Sequence, residues 1–96
     1  MRTYELALIV EPNTDEEGVT AVVERVSGFI QSFDGQVASV DVWGRKALAY
    51  PINNHREGSY VLINATMAPS SIVELERNLK LTEPIIRYLL VVKDES

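Results

Sequence analysis

The chain has 96 residues, no cysteine, 46% apolar residues and a net charge of −5. A chain of this length forms one domain and can bury a core without metal or disulfide bonds. The absence of cysteine excludes disulfides, thiolate metal sites and thiol nucleophiles, and it is typical of a reducing compartment such as the cytoplasm. No apolar run approaches the roughly 20 residues that span a bilayer. Residues 1–3 lead directly into a strand pattern, so we expect no targeting segment.

The charges are unevenly distributed. Up to Val40 the chain has two cations against seven carboxylates, whereas from Asp41 to Lys93 the cations outnumber the acids. A negative net charge alone argues against a polyanionic partner. Because salt screens charges beyond about 8 to 10 Å, one basic side of such a molecule can still contact RNA at close range.

The first two predicted elements are a strand and a helix. Alternating apolar residues predict a strand over Arg2–Val10, with its even-numbered side chains in the core. Thr14 and Glu17 have capping-box spacing, so a helix should start there. Asp34 and Gly35 should end it, with the glycine in the left-handed conformation. One face of this helix is apolar and should be buried: Val19, Val22, Val23, Val26, Phe29, Ile30 and Phe33.

The second strand is predicted to be long and irregular, over Gln36–Ile52. Val37 and Val40 are three residues apart, so a bulge near Ala38 or Ser39 is needed to bring both to one face. Gly44 predicts a further bulge or kink, because glycine adopts conformations that other residues avoid. Apolar residues recur at even positions on both sides of this glycine: Val40, Val42, Leu48 and Tyr50.

The second half of the chain predicts a hairpin, a helix and a strand. The polar segment 53–58 is typical of a hairpin loop and leads into a strand over Ser59–Met67. Ser71 and Glu74 repeat the capping-box spacing and predict a short helix to about Lys80. The β-branched and aromatic stretch Ile85–Val92 predicts the last strand. On the Ser59–Met67 strand, one predicted face carries Val61, Ile63, Ala65 and Met67, and the other carries Tyr60, Leu62, Asn64 and Thr66.

This order of elements is the α+β ferredoxin-like βαββαβ plan, with both helices on one face of a four-stranded antiparallel sheet. We expect one domain over residues 1–93 and a flexible C-terminal tail at residues 94–96. The helix-free face is partly apolar, which predicts a protein interface; scattered surface hydrophobics are the alternative. The residues assigned to this protein-partner face are Tyr50, Tyr60, Leu62 and Tyr88.

A candidate RNA contact lies in the stretch 43–52, WGRKALAYPI. Arg45 and Lys46 are interpreted as a phosphate clamp flanked by Trp43 and Tyr50. The alternative is a solubilising pair of cations on an exposed edge strand.

The segments WGRKALAYPIN, YVLINATMAP and IIRYLLVVK, the start MRTYE and the break at Pro12 resemble the bacterial ribosomal protein S6 family over nearly the whole chain. The resemblance implies a structural component of cytoplasmic ribosomes that binds the central domain of small-subunit ribosomal RNA. It also implies a heterodimer with ribosomal protein S18. By the same resemblance several cations lie where the family has basic residues, and with Trp43 they form the predicted RNA-binding set: Arg2, Arg45, Lys46, Arg87 and Lys93.

The chain departs from the family at two points. The family commonly has arginine where Lys46 stands, and lysine lacks the planar fork that binds phosphate through two donors. The long charged C-terminal extension of some members is missing. The strands also lack the basic-glycine-aromatic signature of RNA-recognition motifs. We therefore expect phosphate and shape contacts along an edge and loop, with the open face left for protein.

The sequence is compatible with two other functions. A ferredoxin-like ligand-sensing regulatory module that dimerises through its sheet is the alternative to a ribosomal protein. An enzyme is the weakest interpretation, because no nucleophile with a base, glycine-rich phosphate loop or metal-ligand cluster is visible. The neighbouring carboxylates Glu16 and Glu17 are explained as helix-start residues. His55 is the sole histidine, and a single histidine in a polar loop is interpreted as a solvated residue and not as a metal ligand or catalytic base. We expect no cofactor, metal, membrane contact or small-molecule substrate.

Overall fold

The computed structural model of the chain describes residues 1–52 and 55–93, and for residues 49–52 and 55 it describes the backbone alone. The predicted C-terminal tail, residues 94–96, lies outside the described residues. The elements follow the predicted order, with a short 3-10 turn at Pro69–Ser71 before the second helix. They are β1 (Arg2–Val10), α1 (Glu16–Ser32), β2 (Gln36–Ile52), β3 (His55–Met67), α2 (Ile72–Lys80) and β4 (Ile85–Val92).

The strands form one sheet in the order β2-β3-β1-β4, and all neighbours are antiparallel. This is the predicted ferredoxin-like fold, with β2 and β4 at the edges. No helix in the described part of the chain is long and apolar enough to cross a membrane. The core lies between the helices and one face of the sheet, and Leu75 and Leu79 of α2 belong to it. Its other members were predicted: Tyr4, Leu6, Leu8, Val10, Val19, Val22, Val26, Ile30, Val61, Ile63, Ala65 and Met67.

Burial in this core, rather than helix propensity, stabilises α1. Gly18 and Gly28 each cost the helix roughly 1 kcal/mol relative to alanine. Val26 and Ile30 are fully buried, and burial of each such side chain contributes about 1.5–3 kcal/mol. The remaining predicted residues of this face, Val23, Phe29 and Phe33, are partly buried against the core.

The start of α1 differs from its prediction by one residue. Asp15, not Thr14, is the N-cap, and its Oδ1 accepts a hydrogen bond of 2.8 Å from the Gly18 backbone N–H. Both residues have a side-chain oxygen that can cap a helix, and only the backbone path decides between them. Glu16 and Glu17 occupy the first turn, where the helix dipole favours negative charge.

The end of α1 also differs from its prediction, because the left-handed residue is Asp34 (φ 63°) and not Gly35. Gly35 is required for a different reason. A Cβ at this position would lie 2.9 Å from the carbonyl oxygens of both Ile30 and Thr66. The glycine therefore lets the chain pass close to β3 as it leaves the helix.

Both predicted irregularities of β2 are present. The register with β3 shifts between Val37 and Ser39, and again between Val42 and Gly44, where φ is +83°. The second bulge reverses the alternation of faces along the strand. Val42 lies opposite Val61 of the core face, whereas Gly44 lies opposite Tyr60 of the helix-free face. Even-numbered residues before and after Trp43 therefore face opposite sides of the sheet.

The β2–β3 hairpin extends further than predicted. Residues 55–58 continue β3, with Glu57 opposite Ala47 and His55 opposite Ile52, whereas a loop was expected there. Arg56 and Glu57 are both exposed. Polar residues on both faces of a projecting hairpin give no alternating pattern, which is why the sequence resembled a loop.

The start of α2 is confirmed, with Ser71 as the N-cap and Ile72 as the first helical residue. The predicted capping box at Ser71 and Glu74 does not form, since the Ser71 side chain makes no cap hydrogen bond and the 3-10 turn leads into the helix. The predicted end at Lys80 is confirmed. Leu75 and Leu79 of α2 are buried in the core.

Candidate functional site

The open face is the face of the sheet that no helix covers, and the strand register arranges its residues in rows. Paired residues in adjacent strands lie side by side, so each row crosses the sheet from β2 to β4. The rows, starting near the hairpin, are Gly44–Tyr60–Ile9–Arg87, then Asp41–Leu62–Ala7–Leu89, then Ser39–Asn64–Glu5–Val91. A fourth row of polar residues contains Gln36, Thr66, Thr3 and Lys93.

The first two rows give the open face an apolar half, made of Ala7, Ile9, Tyr60, Leu62 and Leu89. All of these except Leu89 are half-buried by their neighbours, and Leu89 is 60% exposed. No described part of the chain forms a layer over this half, since the core and both helices lie on the other side. Contiguous exposed apolar surface of this kind is typical of a protein interface.

The other two rows form a polar half apart from Val91, and two pairs of its side chains bind each other. Asn64 Nδ2 donates a hydrogen bond of 3.1 Å to Ser39 Oγ, and Lys93 Nζ lies 3.4 Å from a carboxylate oxygen of Glu5. Both members of that ion pair are partly exposed, so it contributes at most about 1 kcal/mol to stability. The predicted RNA-binding residue Lys93 thus has an intramolecular carboxylate partner.

Two of the four residues assigned to the protein-partner face, Tyr60 and Leu62, lie on the apolar half. The assignment of Tyr88 was wrong. It pairs with Leu8 and packs against the core on the helix side of the sheet. The side chain of Tyr50 lies outside the described residues. Sequence reasoning missed Leu89, which occupies the open face in place of Tyr88.

The predicted phosphate clamp lies on the edge strand β2, just after the second bulge. Arg45 pairs with Ser59 on the helix side, and Lys46 pairs with Gly58 on the open side. Neighbouring residues of a strand face opposite sides, so the two cations straddle the edge of the sheet instead of sharing a face. Lys46 Nζ lies 4.9 Å from the centroid of the Trp43 ring, within the range of a cation–π interaction.

Arg45 is oriented by the loop between β1 and α1. Its Nη2 donates a hydrogen bond of 2.7 Å to the carbonyl oxygen of Pro12. A groove of about 390 Å³ lies beside it, between the start of α1 and β2, with Glu16 in the same lining. Among the described residues neither Arg45 nor Lys46 forms an ion pair, so both cations keep their charge available at the surface.

The structure separates the other predicted RNA-binding residues from this edge. Arg2 lies at the far end of β1, opposite Met67. The eight steps from Arg2 to Val10 along β1 span about 26 Å at about 3.3 Å per residue. Arg87 lies in the same row as Gly44 but on the opposite edge strand, about 14 Å away at about 4.8 Å per strand. The predicted set is therefore not one site, and Trp43, Arg45 and Lys46 are the members brought together.

A comparison with protein-family models matches residues 3–92 to the family described as ribosomal protein S6. The chain belongs to the ribosomal protein S6 family. Membership identifies it as a structural ribosomal protein rather than an enzyme. No group of three metal-ligating side chains lies together within residues 1–52 and 55–93.

Curated relatives agree with S6 family membership over the full chain. The small ribosomal subunit protein bS6 of Clostridioides difficile is 46% identical and covers 96% of this chain and 99% of its own. The bS6 protein of Moorella thermoacetica is 42% identical, with 100% and 98% covered.

Solved structures agree on the S6 fold. The crystal structure of 30S ribosomal protein S6 from Thermotoga maritima has a TM-score of 0.89 and 32% identity, and the match covers 96% of this chain and 87% of that one. A protein from Arabidopsis thaliana, with 7% identity and a TM-score of 0.56, shares the fold alone; the match covers 100% of this chain and 96% of that one.

Proposed function

We propose that this S6-family chain is a component of the small ribosomal subunit, in the cytoplasm. It binds the central domain of small-subunit ribosomal RNA together with ribosomal protein S18 as a heterodimer. The observation that carries the proposal is the position of two different surfaces at one end of the sheet. The basic edge of Trp43, Arg45 and Lys46 adjoins the apolar half of the open face.

The basic edge suits a nucleic acid backbone. Two cations on opposite sides of one edge strand can contact successive phosphates of a chain that runs along the edge. Arg45 is held in place by Pro12, so less side-chain entropy is lost when a phosphate binds. Trp43 is 52% exposed and offers a ring on which a base or ribose can pack.

The apolar half suits a protein. Leu62 lies near its centre, flanked by Ala7 on β1 and Asp41 on β2. A partner that covers Leu62, Tyr60 and Leu89 would remove apolar surface from water at about 25 cal/mol per Å². S18 bound at this half would lie next to the basic edge, so the two proteins can present one continuous surface to RNA.

The experiment measures binding of a labelled central-domain RNA transcript to this chain, with and without purified S18. We expect Leu62→Asp to abolish S18 binding, because the partner would have to bury a carboxylate. Thr66→Asp is the matched control, since it places the same charge on the same strand and face but in the polar half. We expect Thr66→Asp to bind S18 as the wild type does.

Circular dichroism of both variants shows whether they remain folded. Equal loss of binding in both variants, or unchanged binding in Leu62→Asp, would contradict the proposed partner surface. Sedimentation of the pure chain distinguishes the alternative module: a stable homodimer would favour the ligand-sensing function over a ribosomal one.

A further inference from the structure

The two edges of the sheet differ in how they are protected. The register of the edge strand β2 with β3 shifts three times, after Val37, after Val42 and after Ala47. Such irregularities disrupt the regular array that another strand needs for pairing. The edge strand β4 has no such break from Arg87 to Val92, where its register with β1 is constant. Its single irregularity lies at its start, opposite Ile9 and Val10.

The outward backbone groups of β4 can be identified from one hydrogen bond. The Lys93 N–H donates to the Thr3 carbonyl at 2.9 Å, so the Lys93 backbone faces β1. Backbone groups of successive residues point to alternate sides of an antiparallel strand. The N–H and C=O groups of Tyr88, Leu90 and Val92 therefore point away from β1, where no strand of the described chain pairs with them.

The side chains along this edge are apolar. Leu89 and Val91 lie on the open face, 60% and 43% exposed, and Val92 is 47% exposed. Arg87 is the only charged residue of β4. An exposed, regular and apolar edge strand promotes uncontrolled association unless something covers it. Among the described residues nothing does so.

The beginning of β4 adds a charge preference. A groove of about 320 Å³ lies between the end of α2 and β4. Its lining contains two cations and no carboxylate: Leu79, Lys80, Ile85, Ile86, Arg87 and Tyr88. Lys80 is exposed and forms no ion pair within residues 1–52 and 55–93. In a chain with a net charge of −5, this lysine favours an acidic group from a partner.

We propose that the free edge of β4 accepts an extended segment of a partner protein, which adds to the sheet as a fifth strand beside Tyr88, Leu90 and Val92. The segment carries an acidic residue next to Lys80, at the start of β4, and apolar residues against Leu89 and Val91. Backbone hydrogen bonds supply affinity in this mode, and alternate side chains supply specificity. The site lies on the opposite edge of the sheet from Trp43, Arg45 and Lys46, so it is separate from the proposed RNA contact.

The test uses NMR of the full chain labelled with ¹⁵N and two synthetic peptides. One peptide begins with a glutamate pair and continues with alternating valine and threonine; the other has a lysine pair in place of the glutamates. We expect the acidic peptide to protect the amides of Tyr88, Leu90 and Val92 from hydrogen exchange. The amides of Leu89 and Val91 already bond β1 and should change little. No protection in millimolar peptide, or equal binding of both peptides, would overturn the proposal.

Two variants test the mechanism. Val92→Pro removes an outward N–H at an exposed strand end, which an edge strand tolerates, and should weaken peptide binding. Val92→Thr keeps the N–H and the side-chain shape and should not. Lys80→Glu should weaken binding of the acidic peptide roughly fivefold, which is the scale of an exposed ion pair. The same change should strengthen binding of the basic peptide. A single-stranded oligonucleotide that protects these same amides in place of the peptide would assign the edge to RNA and overturn a protein occupant.

Discussion

The guanidinium of Arg45 and the carbonyl oxygen of Pro12 are joined by a 2.7 Å hydrogen bond across 33 residues of sequence. The bond connects the edge strand β2 to the loop that leads into α1. An arginine has several further N–H donors, so this contact orients the side chain and leaves donors for a phosphate. Lys46, on the other side of the edge, is instead positioned by the Trp43 ring.

The first prediction concerns the salt dependence of RNA binding. Arg45→Ala and Lys46→Ala should each reduce the slope of log affinity against log salt by roughly one, because each removes about one phosphate contact. Arg77→Ala is the control, since Arg77 lies on α2 and pairs with Glu74 at 3.0 Å. A filter-binding titration at several salt concentrations provides the slopes. Unchanged slopes in both β2 variants would remove the basic edge from the RNA interface.

The second prediction separates the two cations by stability. Arg45→Ala loses the bond to Pro12 and should lower the free energy of unfolding by about 0.5–1 kcal/mol, at the lower end of the range because the bond is exposed. Lys46→Ala should change it by less than about 0.5 kcal/mol. Urea denaturation followed by circular dichroism measures both. An equal cost for the two variants would mean that the Pro12 contact does not order the edge.

The third prediction uses Trp43, the single tryptophan of the chain. If RNA packs on its exposed ring, binding should change its fluorescence, and Trp43→Ala should weaken RNA binding by about 1–3 kcal/mol, the range for base stacking. Trp43→Phe keeps an aromatic face and should recover most of the affinity. Unaltered fluorescence at saturating RNA would place Trp43 outside the contact.

The fourth prediction compares three glycines. Gly35→Ala should cost about 1–3 kcal/mol of stability, because the new Cβ meets carbonyl oxygens at 2.9 Å. Gly58→Ala should also destabilise, since its Cβ would collide with the Cγ2 methyl of Ile9. Gly28→Ala is the control: nothing lies within 4 Å of the added methyl, and alanine should stabilise α1 by about 0.5–1 kcal/mol. Thermal unfolding of the three variants ranks their stabilities directly.

The fifth prediction tests the helix cap. Asp15→Ala should lower stability by about 1 kcal/mol, because the Gly18 N–H loses its acceptor. Thr14→Ala leaves that bond in place and should cost less. Denaturant midpoints show which variant loses more stability. A larger loss for Thr14→Ala would mean that Thr14 caps the helix, as the sequence predicted.

The order of elements, the core and both bulges of β2 could be predicted because each depends on local periodicity. β1 alternates strictly, and the spacing of Val37 and Val40 is incompatible with a regular strand. Family resemblance pointed to the basic edge, and the charges of Arg45 and Lys46 are visible in the sequence. Which of the two faces the helix side and which faces the open side was not visible, because that depends on the bulge at Trp43.

The faces of β4 could not be assigned from sequence. Ile85–Val92 is apolar at both parities, so periodicity gives no preference between Tyr88 and Leu89 for the open face. The pairing with β1 decides it: Tyr88 lies opposite Leu8, and Leu89 lies opposite Ala7. Such long-range pairing has no local signal. The N-cap at Asp15 was missed for a smaller reason, since two adjacent residues could both cap the helix.

The rows of the open face change from apolar to polar along the strand direction, and this makes the surface directional. A protein seated one way places its own apolar side chains over Leu62 and Leu89 and its polar ones over Asn64 and Glu5. In the opposite orientation, the partner's apolar side chains would cover and desolvate the Glu5–Lys93 ion pair. The partner's polar groups would then lie over Leu62 and Leu89 without hydrogen-bond partners. The change from apolar to polar rows thus selects the orientation in which the partner binds, without any single dominant contact.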